Sequence, residues 1–107
     1  MDAQKGALAG VRVLDLTRVL AGPYSTMILS DMGAEVIKIE QPEKGDDTRH
    51  LGPFVHGESL YYMTNNRNKY GVTLNLKASE GKEIFKELVK KSDLVIENYR
   101  PGTMEKL

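Results

Sequence analysis

The chain has 107 residues, 40% hydrophobic and 28% charged, with fifteen Lys+Arg against fifteen Asp+Glu and no cysteine. That length allows one domain at most, and the composition is globular rather than disordered. A formal net charge of zero leaves no electrostatic case for nucleic acid or an anionic membrane, and the lack of cysteine excludes disulfides, thiolate metal sites and a Cys nucleophile within these residues.

No apolar run approaches the roughly 18 residues of a membrane span. Residues 1–6 are short and polar, without the apolar core of a signal peptide or the Arg-rich pattern of a transit peptide, so the cytoplasm is the expected location. Residues 11–16 form the first apolar run, rich in β-branched side chains, and predict a strand buried on both faces. A helix is expected from Pro23 to about Met32, with Pro23 at its first position and Tyr24, Met27, Ile28 and Met32 on the buried face. Gly33 suits its end, and residues 36–40 read as a second strand, completing a β-α-β unit.

Residues 41–58 are polar and rich in breakers, a surface excursion long enough to suggest a functional loop. A short helix over 59–65 follows, with Tyr61 and Tyr62 partly buried. Val72, Leu74 and Leu76 alternate with polar residues, predicting a half-buried strand. Residues 79–91 predict an amphipathic helix with Ile84, Phe85, Leu88 and Val89 as its stripe and a Glu87–Lys91 pair on its surface. Leu94-Val95-Ile96 is the last strand, closed by Pro101-Gly102. Strands alternating with helices give an α/β fold with Rossmann-like units and a largely parallel sheet.

In open α/β sheets, ligands sit beyond the carboxyl ends of the strands. Three segments occupy such places: residues 17–23, residues 40–42 and residues 98–102. The first offers small residues and a helix amino end for an anion; Asn98, Tyr99 and Arg100 offer an amide, a flat ring and a phosphate-binding fork. Glu40 ends the second strand, where nicotinamide-cofactor domains keep a ribose-binding acid. The first turn carries only Gly22 and not G-x-G-x-x-G, which argues against that reading. His50 and His56 lack metal-ligand spacing and read as surface residues, and Asp46-Asp47 as a solvated acidic pair. Asn66-Arg67-Asn68-Lys69 reads as a basic cluster, facing phosphate or forming a polar turn. Asp15, inside an apolar strand, reads as a buried carboxylate satisfied by hydrogen bonds to a neighbouring loop or helix.

Five blocks in order then resemble the class III CoA-transferases, the family of formyl-CoA and carnitine-CoA transferases: residues 14–23, 31–40, 45–49, 66–69 and 97–102. The resemblance runs from about residue 8 onward. It implies a tail over 1–7, and over 8–107 the N-terminal part of a large Rossmann-like domain belonging to a larger interlocked-dimer fold. It further implies transfer of CoA from an acyl-CoA to a free carboxylic acid through an aspartyl-CoA thioester. Coenzyme A is then substrate rather than a resident cofactor, and no metal is called for. By the same resemblance Arg18, Val19, Leu20, Ala21, Gln41, Leu74, Lys77, Asn98, Tyr99 and Arg100 line the CoA site, with Lys77 towards a phosphate. The family's nucleophilic aspartate lies downstream of these residues, so no catalytic residue is expected among them. Leu20 stands where some members carry glutamine, which favours the carnitine or dicarboxylate branches over oxalate-linked formyl-CoA transferase. An α-methylacyl-CoA racemase of the same family is the nearer alternative, and a non-catalytic CoA- or nucleotide-binding module the more distant one.

Overall fold

A computed structural model describes residues 6–107. The expected 1–7 tail falls largely outside them, and Leu8 already packs on the core. Strand β1 (Arg12–Asp15) leads into helix α1 (Ala21–Asp31) and strand β2 (Glu35–Glu40). A 3₁₀ turn (Asp47–His50), a hairpin of strands β3 (Phe54–Val55) and β4 (Glu58–Ser59), and helix α2 (Leu60–Asn65) fill the next connection. Strand β5 (Tyr70–Thr73), helix α3 (Ser79–Lys90) and strand β6 (Leu94–Ile96) follow, ending near a second 3₁₀ turn (Met104–Lys106).

Four strands form one parallel sheet in the order β5-β2-β1-β6. Taken as the first to fourth strands of that sheet, this is the 3-2-1-4 order of a dinucleotide-fold half. The chain reverses direction across the sheet between β1 and β6, which opens a crevice at their carboxyl ends.

The period-2 alternation of the central strands assigns their side chains to two faces. Leu14, Leu16, Ile37 and Ile39 pack with Phe85 and Leu88 of α3. Val13, Ala34 and Val36 pack with Leu29 of α1. On that second face β1 continues to Asp15 and β2 to Lys38 and Glu40, all buried. The α3 face is thus apolar to its end, whereas the α1 face turns ionic towards the carboxyl edge.

That change reverses one expectation. The buried face of α1 is Pro23, Thr26, Met27 and Ser30, while Tyr24, Ile28 and Met32 are exposed. Hydrophobicity is a poor guide here because Thr26 is drawn inward by the Asp15 carboxylate, to which it donates at 2.6 Å. The helix also begins two residues early, so Pro23 is its third residue, still within the first turn where no N–H partner is needed. In α3, Phe85 is buried but Ile84 and Val89 are exposed, and Lys90 rather than Lys91 reaches Glu87. The strand expected over 72–76 lies two residues earlier, at the sheet edge with every residue exposed; Leu74 and Leu76 lie beyond it and pack on the α3-side core. The hairpin was not expected: His56 and Gly57 both take positive φ, the backbone a tight two-residue turn demands.

Candidate functional site

Three buried carboxylates stand at the carboxyl edge of the α1 face, each with its own cation. Asp15 accepts from the Thr17 amide and hydroxyl, the Thr26 hydroxyl and Lys69 Nζ at 3.0 Å. Lys69 Nζ also donates to the carbonyl of Pro23 and to Asn66 Oδ1, and desolvation holds its pKa below the usual lysine value. Asp46 accepts from Lys38 Nζ at 2.9 Å and from the amide and hydroxyl of Thr48. Glu40 takes both arms of Arg49, at 2.8 and 2.7 Å, together with the Tyr62 hydroxyl and the Asp46 amide. The Arg49 guanidinium lies 3.8 Å from the centre of the Tyr62 ring. Burial and the neighbouring Glu40 carboxylate push the Tyr62 phenol well above its usual pKa.

This network corrects one expectation and decides between two alternatives in another. Asp46 is buried and paired rather than solvated, although Asp47 beside it is exposed. Within the basic cluster, Lys69 faces the buried Asp15 and Arg67 pairs with Asp31, so neither stands ready for a phosphate. The buried Asp15 is satisfied by neighbouring loop and helix donors, as its place in an apolar strand suggests. Glu40 has no capacity left for a ribose hydroxyl, which adds a structural reason against a nicotinamide site. Sequence reasoning passed over Lys38, Thr26, Tyr62 and Lys69 as parts of this cluster. One signal was present: Lys38 and Glu40 alternate with Ile37 and Ile39 in a strand too apolar to be surface.

Two of these carboxyls, Glu40 and Asp46, are held below their ordinary pKa values. Burial raises Glu40, but hydrogen bonds from Arg49, Asp46 N and Tyr62 more than offset this and leave it below its ordinary 4.5. Burial likewise raises Asp46, and Lys38 and Thr48 bring it below 3.8. Lowered carboxyl pKa values stabilise the fold fully above the ordinary values, and the gain is lost as pH falls through the folded-state values. Stability followed by circular dichroism is therefore expected to be flat from about pH 7 to about pH 5 and to decline below about pH 4. A decline that begins above pH 6 would contradict these assignments.

Between the network and the α3-side core lies a cleft of about 410 Å³. Leu16, Ile39, Leu74 and Leu76 line it with apolar surface, Tyr99 adds a ring, and Arg18 and Lys77 add cations. Neither cation forms an ion pair among the described residues. The Arg18 guanidinium lies 5.3 Å from the centre of the Tyr99 ring. Of the expected site residues, the cleft gathers Arg18, Gln41, Leu74, Lys77 and Tyr99. Val19 and Leu20 are exposed on the turn into α1, and Ala21 is exposed as the first residue of that helix, which has no side-chain cap. Asn98 instead clamps the loop: its side chain accepts from the Arg18 amide at 3.1 Å and donates to the Arg18 carbonyl at 2.9 Å. Arg100 is exposed and does not line the cleft. His50 and His56 are exposed as well. No described helix is long and apolar enough to cross a membrane.

Known proteins are similar to this chain in sequence and architecture. The family model for CoA-transferase family III matches residues 8–107. A mouse succinyl-CoA:glutarate CoA-transferase is 54% identical over 101 residues, covering 94% of this chain and 23% of the relative. An acetyl-CoA:oxalate CoA-transferase of Acetobacter aceti is 52% identical, covering 96% of this chain and 26% of the relative. A crystal structure of a CaiB/BaiF family protein from Brucella suis superposes with a TM-score of 0.87 at 42% identity, covering 94% of this chain and 28% of that one. The chain thus spans about a quarter of the length of the curated relatives it matches.

Proposed function

Because this chain belongs to CoA-transferase family III, we propose that the intact protein moves CoA from an acyl-CoA to a free carboxylic acid, residues 8–107 supplying part of the CoA site. The observation that carries this reading is the cleft at the carboxyl ends of β1, β2, β5 and β6, with an apolar lining and with Arg18 and Lys77 free of ion pairs among the described residues. Such a cleft suits a molecule with a flat base and several phosphates: the ring and aliphatic side chains take the former, the cations the latter. Glu40 and Asp46 also line it, but their charges are met by Arg49 and Lys38, so they do not repel a phosphate as free carboxylates would. In this reading Gln41 and Leu74 border the bound CoA, and Asn98 acts through the Arg18 backbone rather than by direct contact.

Four relatives carry names with glutarate, oxalate, malate or mesaconate as the acid. All four are dicarboxylates, and a dicarboxylate is the acceptor class proposed here. The chemistry follows the resemblance. An aspartate carboxylate attacks the thioester carbonyl and expels CoA as its thiolate, leaving a mixed anhydride. The thiolate then attacks the aspartyl carbonyl and releases the donor acid, leaving an aspartyl-CoA thioester. The acceptor carboxylate reverses both steps. The nucleophile lies outside residues 6–107 in this account. Asp15, Glu40 and Asp46 are poor candidates because each is buried and already accepts several hydrogen bonds. A homodimer working in the cytoplasm remains part of the proposal.

Hydroxylamine tests the covalent route. It cleaves an aspartyl thioester to a hydroxamate, so the intact protein should lose activity irreversibly when acyl-CoA and hydroxylamine are present together and keep it with either alone. Full activity after the joint treatment would sink the covalent route.

A further inference from the structure

We propose that the buried Lys38–Asp46 ion pair is a positioning device that holds the Thr17–Leu20 loop in the shape the cleft requires, against the backbone preference of Val19. The proposal rests on the CoA-site reading above.

Val19 has a φ of 76°, in the left-handed region. A β-branched residue there is a true outlier, disfavoured by contact between its side chain and its own backbone. Among the described residues three other non-glycine positions share the sign, Glu43, His56 and Asn68, and none is β-branched. Packing does not force the conformation, since Val19 is 43% exposed. Polar contacts to the backbone do. Lys38 Nζ donates to the carbonyl of Thr17 at 3.0 Å, and Asp46 Oδ1 accepts from the Val19 amide at 3.2 Å. The two side chains pair with each other at 2.9 Å and are almost wholly buried, at 1% and 0% side-chain exposure. One ion pair therefore grips the peptide chain on both sides of Arg18. Thr48 also holds the carboxylate, donating to it from its amide and its hydroxyl. Strain of this kind persists only where the surroundings over-determine it, and it gathers at binding and catalytic sites. Here it orients Arg18, one of the two residues that carry a cation into the cleft.

The test uses the intact protein and two substitutions. Lys38→Met/Asp46→Leu removes both charges together, so that neither is left buried alone. Val19→Gly removes the steric objection to the left-handed conformation. Hydrogen exchange at the Val19 amide is read alongside the dissociation constant for free CoA. The pair variant is expected to speed Val19 exchange by about a hundredfold and to weaken CoA binding by about tenfold. Adding Val19→Gly should restore most of that affinity in the pair variant. A Val19 amide that stays slow in the pair variant would overturn the proposal, and so would an affinity loss that Val19→Gly leaves uncorrected. Should the pair variant not fold, Val19→Gly is compared with Val19→Ala: a held left-handed conformation makes the glycine variant melt higher despite its more flexible unfolded chain, and an alanine variant that melts higher overturns the proposal. A native protein that fails to bind CoA defeats the CoA reading, while Val19 exchange still decides the role of the pair.

Discussion

Lys69→Met is expected to destabilise the intact protein by about 3–5 kcal/mol, because it leaves a fully buried carboxylate without its counter-charge. Asp15 is 0% exposed, and Lys69 Nζ is the only cation within reach among the described residues. The remaining donors, the Thr17 amide and the two threonine hydroxyls, are neutral and do not balance a full charge in a low-dielectric setting. The methyl thioether nearly fills the volume, so a cavity contributes little. Asp15→Asn in the same chain removes the stranded charge and keeps the shape, and the double variant should recover part of the loss. Thr26 then falls back on the Pro23 carbonyl, already at 3.1 Å. Chemical denaturation measures all three proteins. A loss below about 1 kcal/mol for Lys69→Met, the size of a surface pair, would contradict the assignment.

Gly81→Ala should also destabilise, by about 1–3 kcal/mol or more from overpacking. The sign is informative. Helix propensity alone favours alanine over glycine by about 1 kcal/mol in a helix interior, which predicts a gain. The third residue of α3, however, sits so close to the Asn75 carbonyl that an added Cβ would lie 1.8 Å from its oxygen. That neighbour is backbone, so α3 must move bodily. Asn75, Leu76 and Lys77 form one wall of the cleft, so CoA binding should weaken together with the melting temperature. A stabilised Gly81→Ala protein would show that α3 sits farther from this wall than described.

Much of the fold was legible because it rests on local pattern. The β-branched runs of β1 and β2, the amphipathic α3 and the breakers between them need only neighbouring residues to be read, and the parallel sheet follows from their alternation. The part that went unread depends on distance along the chain. Asp15 and Lys69 are 54 residues apart, and no periodicity links them. The inward face of α1 was misjudged for the same reason: a buried threonine makes sense only beside a buried carboxylate. Five of the ten expected residues, drawn from the segments after four different strands, do converge on the cleft. Asn98 illustrates the other half: its side-chain amide is engaged by the Arg18 backbone, a use that residue type and position alone do not reveal.

The most direct measurement mixes the intact protein with an acyl-CoA and an isotope-labelled free dicarboxylic acid in deuterated water, and follows the thioesters by mass spectrometry. The labelled acid is expected to appear as a CoA thioester while the donor's acid is released in equal amount, with no deuterium at the carbon next to the thioester. Deuterium entering that carbon, with no labelled thioester formed, would contradict CoA transfer and point to a racemase.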